Sequence, residues 1–252
     1  MDKLALLRRY DAEVRDEPRA QPGIRVERTP QLTRLTGGFN MLVTWRCAAH
    51  EAQALVNAQA EEFRARGEPL IWKVCGHDRP QLGAELARAG FVLQGRESLM
   101  ALDVAQAITA SWATPRHEVR RVHELAGLDD FMRVSEAAFG TAEPWRRAAY
   151  AGRLQERELG LLVAYHAGQP VAAGRLELVA NDFFGELFGG GVVPAARGQG
   201  VYTSLVAARL KAAHAAGVPW LTVGGNANSA PRLLRLGFVE LSPTECWVLS
   251  AD

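Results

Sequence analysis

The chain is poor in cysteine. Cys47, Cys75 and Cys246 are the whole complement of its 252 residues, and none stands in a Cys-x-x-Cys pair or at zinc spacing from a histidine. A disulfide framework and a zinc ribbon are therefore excluded, and a reducing cytoplasm is the expected home. An excess of one charge is also lacking: 29 basic residues face 28 acidic ones, so no global field recruits nucleic acid or a membrane surface. No apolar run approaches the roughly 20 residues that cross a bilayer. The opening "MDKLALLRRYDAEVRDE" is charged throughout and has no small-residue cleavage site, so it reads as an amphipathic helix and not as a secretory signal. His77, His117, His123, His166 and His214 show no ligand spacing, and no metal is expected.

What is present suits one large or two small globular domains, with 48% apolar and 23% charged residues. Abundant alanine and arginine suggest a GC-rich bacterial genome. In the second half, Val201, Leu205, Ala208 and Ala212 recur at helical spacing, with Arg209 and Lys211 outside that stripe, until Gly217 and Pro219 stop the helix. A buried strand, "PWLTVGG", follows, then a helix in "NSAPRLLRLGF" ended by Gly237, then strands "FVEL" and "ECWVLS". Upstream lies a meander of three strands, roughly 159 to 167, 170 to 180 and 183 to 193, punctuated by "AGQP" and "AND". Before it, "HEVRRV" reads as a strand, and "GLDDFMRVSEAAF" and "EPWRRAAYAGRLQERE" as helices.

The chain also repeats itself. "LVNAQAEEFRARGEP" matches "LVAARLKAAHAAGVP" at a constant offset, 205 − 55 = 150, and "LARAGFVL" matches "LLRLGFVE" at 237 − 90 = 147. Helix, Gly, Pro, strand, helix, GFV, strand thus occurs twice in the same order, and duplication explains it better than chance. At the first offset, Arg197, Gly198 and Gly200 fall opposite Cys47, Ala48 and His50, so the first copy has the helix without the glycines.

Strand, then "RGQG", then helix is the arrangement of a phosphate cradle: unpaired N–H groups at a helix start face an anion, and the dipole favours it there. A dinucleotide GxGxxG would need a small residue where Thr203 stands, and the GK[ST] of a Walker motif is absent. With the preceding meander and the following strand, "NANSAPRLLRLGF" and final strands, residues 117–252 resemble the GCN5-related N-acetyltransferase (GNAT) superfamily, whose turn reads RxxGxG or RxxGxA. The first half resembles a degenerate copy, and the whole is similar to tandem proteins of that superfamily. The resemblance implies an α+β fold of two GNAT-like lobes, each a mixed, mostly antiparallel sheet flanked by helices. The expected boundaries are 1–103 for a degenerate lobe without a phosphate-binding turn, 104–116 for a connector, and 117–252 for an acetyl-CoA-binding catalytic domain.

Carried over by residue, the resemblance implies that the main chain of Gly198, Gln199, Gly200, Val201 and Tyr202, helped by Arg197, holds the pyrophosphate of the cosubstrate acetyl-CoA. Val192 and Val193 would offer backbone groups to its pantetheine arm, with Asn226 near the pantetheine or sulfur and Asn228 and Ser229 as neighbours. An attacking amine must lose a proton, and Glu186, where several members carry a glutamate base, is the expected acceptor, with Glu177 in reserve. The usual tyrosine acid is missing, because its position holds Leu233. Tyr202 replaces a small residue of the turn and is expected to point away from the cosubstrate; Tyr150 and Tyr165 read as core or surface aromatics. Phe139, Glu143 and Trp145, in "FGTAEPWRR", would line the acceptor site. The expected function is acetyl transfer to a primary amine by direct attack in a ternary complex, with a small-molecule acceptor and a monomer or homodimer. Its rivals are a silent acyl-CoA sensor or scaffold and a nucleotide-binding protein of another class.

Overall fold

Asp2 starts the first helix by accepting the N–H groups of Leu4 and Ala5, 2.9 and 3.0 Å away. In the computed structural model, which describes residues 2–20, 23–140, 144–178 and 183–251, this helix, α1, spans Lys3–Tyr10 and widens into a π turn, Asp11–Arg15. The elements that follow are β1 (Ile24–Arg28), β2 (Leu32–Gly37), β3 (Met41–Trp45), α2 (Ala52–Arg66), β4 (Leu70–Cys75), α3 (Gly83–Arg88) and β5 (Val92–Asp103). Next come α4 (Val104–Ala107), β6 (Glu118–Arg121), α5 (Leu125–Phe139), α6 (Pro144–Ala151), β7 (Leu159–His166), β8 (Gln169–Leu178) and β9 (Phe184–Val192). The chain closes with α7 (Val201–Ala215), β10 (Trp220–Asn226), α8 (Ala230–Arg235) and β11 (Val239–Leu249). The expected "AND" turn and Glu143 lie outside the described residues.

Two compact units form. Residues 1–100, 225–232 and 240–252 make the first, and 101–224 with 233–239 the second. The first orders its strands β1-β2-β3-β4-β11-β5, and the second β10-β9-β8-β7-β6. In each, a single described pair is parallel, β3 with β4 and β9 with β10, among antiparallel neighbours. The last strand differs from expectation in two ways. It is one strand and not two, because the Pro243 carbonyl accepts the N–H of Gly76 at 2.8 Å and keeps the chain in the sheet across the apparent break. From Glu240 it also belongs to the first unit, since Thr244–Leu249 pair antiparallel with Cys75–Leu70 of β4. The segment read as a connector is structured as well: it holds α4, and Ser204 Oγ accepts the N–H groups of Arg116 and His117.

The second unit is built on alternation. Leu159, Leu161, Val163 and Tyr165 of β7 pack with Leu128, Phe131 and Val134 of α5 and Tyr150 of α6, while Leu162 and Ala164 face Val201 and Leu205 of α7. Each such leucine or valine contributes about 1.5–3 kcal/mol of burial. Tyr150 and Tyr165 are thus core residues. Helix α7 is buried more widely than its sequence stripe suggests. Ser204, Val206, Ala207, Leu210 and Ala213 are buried beside Val201 and Leu205, and Arg209, placed outside the stripe by its charge, is 1% exposed. In the first unit, Val56, Phe63, Leu70 and Leu86 surround Trp72, which meets Trp45 and Phe91 edge-on at 5.9 Å.

The repeat persists in the hydrogen bonds. Gly67 N–H bonds Arg64 O and Glu68 N–H bonds Phe63 O, while 150 residues later Gly217 N–H bonds His214 O and Val218 N–H bonds Ala213 O. At the second offset of 147, Gly90 and Phe91 bond Ala87 and Leu86 as Gly237 and Phe238 bond Leu234 and Leu233. All four glycines have positive φ, the left-handed geometry that ends a helix.

Candidate functional site

Strand β9 carries the site, and a bulge shapes it. It pairs with β8 as Arg175↔Phe188 and then Ala173↔Gly191, so Gly189 and Gly190 stand against the single residue Gly174. One extra residue bends a strand and sharpens its twist. On the other side, the parallel register with β10 runs from Phe184↔Trp220 to Leu187↔Val223 and stops, so beyond Leu187 the described pairing of β9 is with β8 alone.

After β9, a short 3₁₀ turn, Pro194–Ala196, leads to the exposed residues Arg197, Gly198, Gln199 and Gly200. Gly198 and Gly200 have φ of +80° and +81°, which only glycine adopts without strain, and a Cβ on either would meet nothing within 4 Å. Gly200 caps α7, and the first backbone bond of the helix is Ser204 N–H to Gly200 O. Among the described residues no protein acceptor takes the N–H groups of Gly198, Gln199, Gly200 or Val201, which leaves them to water or an anion. The side chains brace the turn: Arg197 Nε donates to Val192 O at 3.1 Å and its Nη2 to Ala138 O at 3.4 Å, while Gln199 donates to Ala195 O. Val193 N–H bonds Val171 O, so part of the Val192–Val193 main chain is already engaged.

Glu177 and Glu186 lie directly opposite each other on β8 and β9, and Thr222 of β10 is opposite Glu186. Arg175, two residues from Glu177 on the same face, pairs with it at 2.7 Å, donates to Tyr150 Oη at 2.6 Å and lies 4.5 Å from the centre of the Phe188 ring. Burial pulls the Arg175 guanidinium down, but Glu177, Tyr150 and Glu186 outweigh it and hold the group above the ordinary arginine value. Glu177 is 8% exposed and bound to this arginine, whereas Glu186 is half-buried. Thr222 is 1% exposed, and its Oγ1 has no hydrogen-bond partner among the described residues.

The opposite face of the bulge holds a second arginine. Arg209 Nε donates to Leu205 O at 3.2 Å and Nη1 to Arg175 O at 3.4 Å. Burial draws the guanidinium below its ordinary value, and Tyr202 opposes that shift. Tyr202 turns inward: a Cβ on Gly190 would lie 3.3 Å from its ring and 3.1 Å from Arg209 Nη2.

The second unit therefore brings together Glu177, Glu186, Val192, Val193 and the turn from Arg197 through Gly198, Gln199, Gly200 and Val201 to Tyr202. Asn226 and Ser229 fall in the 225–232 segment of the first unit, where they close on each other: Asn226 Oδ1 accepts the N–H groups of Asn228 and Ser229. Leu233 is fully buried. Phe139 and Trp145 are 52% and 36% exposed, and Phe139 approaches the position a Cβ of Gly191 would take to 2.8 Å. Sequence reading missed Arg175, Arg209 and Thr222. The available signal was a charge inside an apolar run, as in "VAAGRLEL" and "LVAARLKAA".

The first unit repeats the parallel pair and the following helix with different residues. Leu42 pairs with Trp72 in its parallel pair where Glu186 pairs with Thr222 in the other, so a buried leucine occupies the carboxylate's place. Ahead of α2, the Glu51 carboxylate accepts the N–H of Ala48 at 2.8 Å, setting a negative group where the second unit has open glycines.

Comparison with known proteins agrees with this geometry. No curated protein matches the chain in sequence. Among solved structures, a GCN5-related N-acetyltransferase from Kribbella flavida superposes with a TM-score of 0.70 at 15% identity, covering 90% of each chain. A tandem GNAT protein from the clavulanic acid biosynthesis pathway gives 0.64 at 15% identity, covering 92% of this chain and 85% of that one. A GCN5-related N-acetyltransferase from Sphaerobacter thermophilus gives 0.61 at 15% identity, covering 99% and 85%. Residues 121–238, which contain the bulged strand, the glycine turn and α7, match the model of the Acetyltransferase (GNAT) family, and the chain shares the fold of these solved structures.

Proposed function

We propose that the second unit transfers an acetyl group from acetyl-CoA to the primary amine of a small-molecule acceptor. The observation that carries this reading is the turn itself: two left-handed glycines open the start of α7 directly after a bulged strand that has left its parallel neighbour. The four N–H groups from Gly198 to Val201 would hold the pyrophosphate, and the helix dipole adds to their attraction. The β9 edge beyond Leu187 would take the pantetheine arm as an added strand. Acetyl-CoA supplies an acyl thioester, an electrophile that an uncharged amine attacks directly. Glu186 is the proposed base. It sits on β9 three residues before the bulged pair, and Arg175 binds its neighbour Glu177, so the two carboxylates have unequal surroundings. Arg197 is proposed to act through the turn it braces more than through its own charge.

The first unit, with Leu42 and Glu51 in the decisive places, is proposed to be structural. No helix among the described residues is long and apolar enough to cross a membrane, and with three free cysteines the proposed location is the cytoplasm. Buried Leu233 favours the rival reading of a silent acyl-CoA sensor. Acetyl-CoA consumption with a panel of amines, followed by mass spectrometry, separates the two: an acetylated product lost in Glu186→Gln supports the enzyme, and binding without product across the panel supports the sensor.

A further inference from the structure

Among the described residues, Arg209 is a cation without an anion. It is 1% exposed, its nitrogens donate to the carbonyls of Leu205 and Arg175, and no carboxylate among the described residues forms an ion pair with it. An uncompensated buried charge is costly, and the fold has been cleared to hold this one. A Cβ on Gly174 would lie 3.0 Å from Arg209 Nη1, and one on Gly190 would press on both Arg209 and Tyr202. Tyr202 and Arg209, seven residues apart on α7, share the helix face turned toward the sheet, and both side chains reach the glycine bulge. A guanidinium beside a phenol favours the phenolate, which eases loss of its proton. The bulge lies on the stretch of β9 that has left β10, and Leu233 offers no proton.

We propose that Tyr202 is the proton donor to the departing thiolate, with Arg209 as its positioning residue. The inference rests on the acyl-thioester reading of this unit. As the amine nitrogen bonds to the thioester carbonyl carbon, the carbon–sulfur bond breaks and sulfur leaves with the bonding pair. The phenolic proton of Tyr202 passes to that sulfur, and the phenolate beside Arg209 regains a proton from water, while the amine's proton leaves through the base.

The chain has four tyrosines, so the test is spectroscopic first. Ultraviolet titration of phenolate is expected to show one tyrosine ionising ahead of the other three in the wild type, a step missing from Tyr202→Phe. In turnover, Tyr202→Phe is expected to lower kcat about 100-fold with KM for acetyl-CoA within about threefold, and to lose less with a donor whose thiol is more acidic. A tyrosine that ionises with the others, or an equal deficit with both donors, overturns the inference while leaving the acyl-CoA reading standing. Failure of the wild type to bind acetyl-CoA overturns both.

Discussion

At the scale of single residues, charge placement decides function on one side of the chain and stability on the other. Glu186→Gln removes the proposed base without changing shape, so turnover is expected to fall about 10²–10⁴-fold while acetyl-CoA binding persists, as calorimetry on the same preparation checks. In the first unit, Arg15 is 6% exposed and held by both oxygens of Asp78 at 2.8 and 2.9 Å, with Asp11 Oδ1 at 2.9 Å. Asp78→Ala leaves that buried cation with Asp11 as its one carboxylate partner among the described residues, and chemical denaturation is expected to register a loss of about 3 kcal/mol. Asp11 gives a pH signature. Burial raises its affinity for a proton, but the bonds from His77 and Arg15 outweigh burial and hold the carboxyl below its usual range. Its contribution is therefore complete above the unfolded carboxylate value of about 4 and disappears as the pH falls through the lower folded value. In Asp11→Asn the acid limb of a stability–pH curve should be shallower than in the wild type. Cys75, whose thiol burial pushes up to about 11, should resist alkylation at neutral pH until the protein unfolds.

At the scale of elements, glycines are read best by asking what a side chain would meet. Gly191 packs against α5, where a Cβ would sit 2.7 Å from that of Ala138. Gly191→Ala is expected to cost about 1–3 kcal/mol in a denaturation curve through that collision. A Cβ on Gly198 or Gly200 would meet nothing within 4 Å, so alanines there cost only the strain of left-handed backbone, about 1 kcal/mol each, yet they would fill the proposed cradle. A double alanine variant should therefore stay folded and lose acetyl-CoA binding. Much of this was legible in the sequence. Helix boundaries, the meander, the turn and the repeat follow from periodicity and from Gly and Pro positions, which act locally. What was not legible depends on partners distant in the chain. Arg209 reads as a solvent-facing charge until Gly174 and Gly190 are seen to make room for it, and where the Tyr202 ring goes is set by Gly190, which the bulge brings beneath it. The joining of "FVEL" to "ECWVLS" likewise depends on Gly76, some 170 residues earlier, to hold the Pro243 carbonyl in the sheet.

At the scale of the whole molecule, one architecture occurs twice with different content. The helix ends, the parallel pair and the glycine caps recur, while Leu42 stands for Glu186 and the Glu51 carboxylate closes the turn that Gly198 and Gly200 open. The final strand ties the two copies into one covalent scheme, since its residues from Glu240 complete the first unit after the second has been built. The account thus predicts a duplicated fold with a single acyl-donor site. Isothermal calorimetry of acetyl-CoA into the full chain tests this most directly. The predicted result is one site per chain in the wild type, abolished in the Gly198→Ala, Gly200→Ala double variant while its melting transition is retained. Two sites per chain, or binding undiminished by the double substitution, would contradict it.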